Sequence, residues 1–198
     1  MRGLVFVSLF VGNTAWAQSF EDTVAAAQQQ AGDLTRYQQA LQNPDQRMQY
    51  ALVQQMLVHS DPAIQRIAKE HALFSTNPVM REAAVKAILD AGSTLRFQVA
   101  VTSELSDGVA SWLNEVGGVF DAGRGEALIA APPAVDSDCW GTKKGSCTFQ
   151  QVGNTLQYNY RSIRVVVTLG NDGILRGSLT YDVNRRINTA QVQIDLKQ

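Results

Sequence analysis

The spacing of apolar residues changes once along the chain. From Phe20 to Ile88 they recur every three to four positions, the period of a helix with one buried face; from Leu95 onward they alternate with polar residues, the period of a half-buried strand. In the first part, Ser19 and Asp22 form a helix-start pattern, and Phe20, Val24, Ala27, Ala31, Leu34 and Leu41 then mark one face of a long helix, loosened at Gly32. The Gln28-Gln29-Gln30 and Gln38-Gln39 clusters fall mainly on its solvated face. Three further starts follow at Asn43-Pro44, Asp61-Pro62 and Asn77-Pro78, where an Asn or Asp caps free amides and proline takes the first helical position at no cost in hydrogen bonds. The expected core positions are Met48, Ala51, Leu52 and Met56, then Ile64, Ile67, Ala68 and Ala72, then Met80, Ala83, Ala84, Ala87 and Ile88.

These capped starts, short turns and Ala-rich faces over residues 43 to 90 look like HEAT-type helical repeats. The resemblance implies a packed helical array that can present a concave face, and it implies no activity. Both histidines belong to this part: His59 is expected at the end of a helix, where a cation complements the dipole, and His71 on a half-buried stripe.

Gly92 stops the last helix, and Leu95, Phe97, Val99 and Val101 then alternate as a strand. A short helix over 106 to 116 places Trp112 in the core. The segment Asp121-Ala122-Gly123-Arg124-Gly125 suits a hairpin or tight connection. Hairpins are predicted over 148–160, turning at Gly153-Asn154, and over 163–183, turning at Asn171-Asp172-Gly173, with a last strand over 189–196. The expected fold is α+β: a HEAT-like helical unit over 18–92, then an antiparallel β domain over 93–198, built as a sandwich or a curled sheet.

Compartment follows from the first residues. Arg2, the apolar run from Leu4 to Val11 and the small residues of Ala15-Trp16-Ala17 read as a secretory signal peptide over 1–17, too short to span a bilayer. Its loss removes one basic residue and moves the net charge of -1 to about −2. That balance argues against a nucleic-acid partner, which needs clustered positive charge. A periplasmic or secreted protein, with no transmembrane span after signal cleavage, is expected. In that setting Cys139 and Cys147 are a disulfide, worth about 2.5 kcal/mol for its nine-residue loop in the chain-entropy model.

The loop over 136–147 concentrates the distinctive chemistry: two acids, both cysteines, Trp140, and Lys143-Lys144. Asp136-x-Asp138 fails as an EF-hand because Trp140 and Cys147 stand where oxygen ligands are required. No metal ligand set, cofactor motif, nucleophile elbow, zincin pair or phosphate-binding loop is present. The expectation is therefore a non-enzymatic binding protein of the cell envelope, recognising a protein or a glycan. An exposed Trp140 with Tyr158 and Tyr160 would supply a stacking platform rimmed by Lys143 and Lys144; otherwise Trp140 plugs the end of the sheet. The alternative is a hydrolase of an extracellular polymer using two carboxylates among Glu104, Glu115, Asp121, Glu126, Asp136, Asp138 and Asp182. Exposed edge strands pairing with another chain are a third possibility.

Overall fold

The computed structural model describes residues 14–101, 106–143, 146–183 and 186–196. Four helices come first: α1 (Thr14–Ala40), α2 (Gln46–Leu57), α3 (Pro62–Leu73) and α4 (Pro78–Asp90). Strand β1 (Thr94–Ala100) follows, then α5 (Ser106–Glu115). Nine more strands complete the fold: β2 (Val119–Asp121), β3 (Arg124–Ala130), β4 (Ala134–Asp136), β5 (Cys139–Lys143), β6 (Ser146–Val152), β7 (Thr155–Tyr160), β8 (Ile163–Leu169), β9 (Ile174–Val183) and β10 (Arg186–Asp195). The α+β order expected from the change of period is the order observed.

Local chemistry sets the helix starts, with one shift from expectation. Asp61 and Asn77 cap α3 and α4, each followed by proline. The second helix begins later than Asn43-Pro44 implies, because Asp45 is its cap and accepts from the amides of Arg47 and Met48. Asn43 instead accepts from the Asp45 amide and shapes the turn before it. The buried face of α2 is correspondingly rotated: Val53, Met56 and Leu57 are buried, whereas Met48 is 56 % exposed and Ala51 is also exposed. Helices α2, α3 and α4 pack on one another as an array.

All ten strands form one open antiparallel sheet, ordered β2-β3-β1-β10-β9-β8-β7-β6-β5-β4. It is the curled sheet of the two expected forms. Its curvature can be read from ring contacts. Phe97 on β1 and Phe149 on β6 are separated by five inter-strand steps, about 24 Å if the sheet were flat, yet their ring centroids lie 6.3 Å apart. The sheet therefore wraps around its own inner face. Tyr158 on β7 fills the middle, 5.3 Å from Phe97 and 5.0 Å from Phe149.

Helix α5 closes this interior. Trp112 reaches Phe97 at 6.3 Å and Tyr158 at 6.2 Å. At Gly108 the helix lies so close to the sheet that a Cβ there would stand 2.3 Å from the Tyr181 ring. The buried side chains of helices and sheet belong to one contiguous cluster.

Candidate functional site

The cysteine segment is more ordered than a loop. Residues 139–143 and 146–152 are adjacent strands of one hairpin, and the Cys139–Cys147 disulfide joins them with Cα atoms 5.2 Å apart. The register shifts on both sides of Gly141, which places an extra residue in the ladder. At Gly141 the backbones approach so tightly that a Cβ would sit 2.0 Å from the Ser146 carbonyl oxygen.

Trp140 faces inward from this hairpin and is fully buried, 0 % exposed. Its indole Nε1–H donates to Asp90 Oδ1 at 2.9 Å, and Lys86 Nζ stands 5.0 Å from the ring centroid. Lys86 also pairs with Asp90 at 3.6 Å and donates to the Ser137 carbonyl. One turn earlier on α4, the Glu82 carbonyl accepts from Gln151 Nε2 at 2.8 Å. Residues 82, 86 and 90 are spaced four apart, so one side of α4 is fastened to the hairpin at three successive turns. Tyr158 is 2 % exposed, and burial pushes its hydroxyl up to about 12. The neighbouring Trp112 indole pulls the other way, although Trp112 Nε1 makes no hydrogen bond of ordinary geometry. Tyr160 is half-buried, stacked on Tyr158 at 6.4 Å and covered by Arg161 at 5.4 Å. Lys143 is exposed; Lys144 lies outside the described residues. Trp140 and Tyr158 thus offer no ring face to solvent, and the packing alternative describes them.

The carboxylates are dispersed. Glu115 pairs with Arg161 at 2.7 Å and Glu126 with Arg96 at 3.2 Å. Asp136 accepts from the Ser137 amide and Asp138 from the Ser137 hydroxyl. Asp121 ends β2, at the β2–β3 turn. Glu104 and the side chain of Asp182 lie outside what is described. Asp172 is held down at about 2 by Arg176, opposite to the shift that a general acid needs.

A cleft of about 650 Å³ lies elsewhere, between α1 and the α2–α3 turn. Leu34 and Tyr37 form one wall, Leu52 and Ile64 the other, and Gln30 Nε2 spans the gap to Asp61 Oδ2 at 3.3 Å. His59 sits edge-on to Tyr37 at 5.9 Å, and its Nδ1 accepts the Asp61 amide at 3.0 Å. Through this contact His59 organises the turn between α2 and α3. His71 is half-buried, and burial lowers its pKa.

From this cleft α1 projects outward. It has 27 residues, about 40 Å at 1.5 Å per residue, whereas α2 and α3 have 12 each. Every residue from Phe20 to Gly32 is exposed, with Phe20 at 70 % and Val24 at 38 %. The apolar face expected for this helix is therefore covered only from Leu34 onward. Periodicity marked the stripe, but the cleft beside it depends on the angle at which α1 leaves α2 and α3, which has no local signature.

Comparison of the chain with protein-family models, with curated proteins and with solved structures found no match.

Proposed function

We propose that the protein is an exported, non-enzymatic binding protein of the cell envelope, periplasmic or secreted, which captures a helical segment of a protein partner along α1 and the adjoining cleft. The observation that carries this reading is the uncovered stripe Phe20, Val24, Ala27 and Ala31, continuous with Leu34 at the cleft. An amphipathic helix laid into such a groove buries apolar residues at i, i+3 or i+4, and i+7. Arg36, paired with Asp33 at the cleft end, is the only Lys or Arg of α1, so the exposed stretch from Phe20 to Gly32 lacks the basic residues that would draw an amphipathic helix to an anionic membrane. A protein is the better partner. The signal-like residues 1–17 and the disulfide support export. The packing of α2, α3 and α4 supports reading them as a HEAT-like unit that positions the cleft.

Photo-crosslinking in intact cells tests this reading, with a photoreactive residue at Val24, on the stripe, or at Asp22, on the opposite side. The expected result is one discrete protein adduct from position 24, found in the envelope fraction and lost with Phe20→Ser, and none from position 22. Equal labelling from both positions, no adduct from 24, or an adduct confined to the cytoplasm would refute it.

A further inference from the structure

One edge of the sheet is only partly covered. The Ala131 N–H donates to the Ser93 carbonyl and the Val101 N–H to the Gly123 carbonyl, which fixes the residues of β3 that face β1. Through the unbroken β1–β3 register, the N–H and C=O of residues 125, 127 and 129 turn towards β1. Those of Arg124, Glu126, Leu128 and Ala130 point the other way, because the direction alternates along an antiparallel ladder. Strand β2 has 3 residues and reaches only Arg124, Gly125 and Glu126. It extends no further because the amides of Gly117 and Gly118 close α5, donating to the Asn114 and Leu113 carbonyls. Among the described residues, no hydrogen bond from another segment reaches the main chain of Leu128 or Ala130.

The uncovered stretch lacks the features that keep sheet edges apart. Ala127-Leu128-Ile129-Ala130-Ala131 contains no charge and no proline, and its register with β1 runs without a shift up to Ala130. Leu128 is 55 % exposed, and Val119, diagonal to it across β2, is 70 % exposed. The stretch is also self-complementary. Its limits lie equally far from Ile129: at Glu126, where β2 takes the outward groups, and at Pro132, which has no N–H to place. A two-fold axis at Ile129 sets Leu128 opposite Ala130 of a second copy, so outward N–H and C=O groups meet their counterparts in both strands. The larger leucine then stands beside the smaller alanine, and no like charges collide. The nearest carboxylate, Glu126, is matched by Arg96 at 3.2 Å.

We infer that β3 is a self-association surface, separate from the α1 stripe, where the free edges of two copies pair antiparallel over residues 127–131 and join two sheets into one. Any extended peptide can match the hydrogen bonds. The symmetric limits at Glu126 and Pro132, and the uncharged pairing of large against small, single out a second copy. The overlap is short, which puts the dimer at the weak, small-area end of specific interfaces.

Sedimentation velocity of the full mature chain over a wide concentration range tests the inference. A monomer–dimer equilibrium is expected. Leu128→Lys should weaken it about tenfold or more, because two apolar side chains leave the joint and two like charges come together on one face. Leu128 is exposed, and an unchanged melting curve at low concentration would show that the fold is intact. Phe20→Ser with Val24→Ser should leave the equilibrium unaltered, which keeps this surface distinguishable from the helical cleft. Oxidation of a single added cysteine reads the register. Both native cysteines are held in the disulfide, so an added thiol finds its partner in another copy. Ile129→Cys should give a covalent dimer faster than Val119→Cys, although Val119 is the more exposed, since residue 129 meets itself on the axis. A monomer at every concentration, association undiminished by Leu128→Lys, or a faster dimer through Val119→Cys would overturn the inference. Association lost in the Phe20 and Val24 variant would also overturn it, by moving the contact to α1.

Discussion

Two apolar stripes of this chain meet opposite fates. Within the curled sheet, Phe97, Phe149 and Tyr158 turn inward and find one another, with Trp112 closing over them. Along α1, Phe20 and Val24 obey an equally regular period and remain in solvent. The difference lies in geometry. A curling sheet brings strands distant in sequence to one side of its own surface, whereas a 27-residue helix docked by its C-terminal end outruns its 12-residue neighbours. Periodicity states which residues require a partner. Whether the partner is the same chain depends on element lengths and docking angles.

The largest effect should come from the covered side, at the joint between the two parts. Trp140→Ala removes a fully buried ring, the Nε1 bond to Asp90 and the surface under Lys86. The expected loss is about 3–5 kcal/mol, the usual cost of truncating a buried aromatic residue, measured by urea denaturation. A loss below about 1 kcal/mol, within the range of ordinary surface changes, would mean that α4 and the disulfide hairpin do not depend on this contact.

A smaller, pH-dependent effect belongs to the centre of the same core. Tyr158 is raised from 10.0 to about 12 in the fold, chiefly by burial. The stability it supports as a neutral hydroxyl is fully present below pH 10. Between pH 10 and 12 the unfolded chain ionises first, so that stability declines and is lost as pH passes the folded value. The decline amounts to roughly 3 kcal/mol at most. Tyr158→Phe keeps the ring packing and removes the titration. Denaturation curves for the two proteins should therefore lie close together at pH 8, with the wild type falling more steeply above pH 10. Parallel curves would place the hydroxyl in contact with water.

Legibility in the sequence followed the range of the interactions involved. Asp61-Pro62, Asn77-Pro78, the turn at Gly153-Asn154 and the alternation from Leu95 to Val101 act over a few residues, and the corresponding elements formed where expected. The disulfide was legible from compartment logic. The segment around it read as a loop because the register shifts beside Gly141 break the alternation that marks a strand. Trp140 was equally ambiguous from local pattern, because its burial depends on Asp90 and Lys86, about fifty residues away. Pairings such as Gln98 with Gln193 were unreadable for the same reason, because the two are neighbours only through the β1–β10 register.

The smallest expected effect is the one that most sharpens the contrast. If the α1 stripe is uncovered in the free protein, Phe20→Ser with Val24→Ser removes no internal packing, and stability should move by no more than about 0.5 kcal/mol, as for surface substitutions generally. A serine pair also lowers the helix propensity of α1 slightly, a term of a few tenths of a kcal/mol. Urea denaturation at several protein concentrations makes the measurement diagnostic. A concentration-independent midpoint within that range leaves the stripe free for a partner. A loss of several kcal/mol would place the two side chains against the chain's own core. A wild-type midpoint that rises with concentration, and no longer does so in the variant, would identify the partner as a second copy, because association adds to apparent stability by mass action.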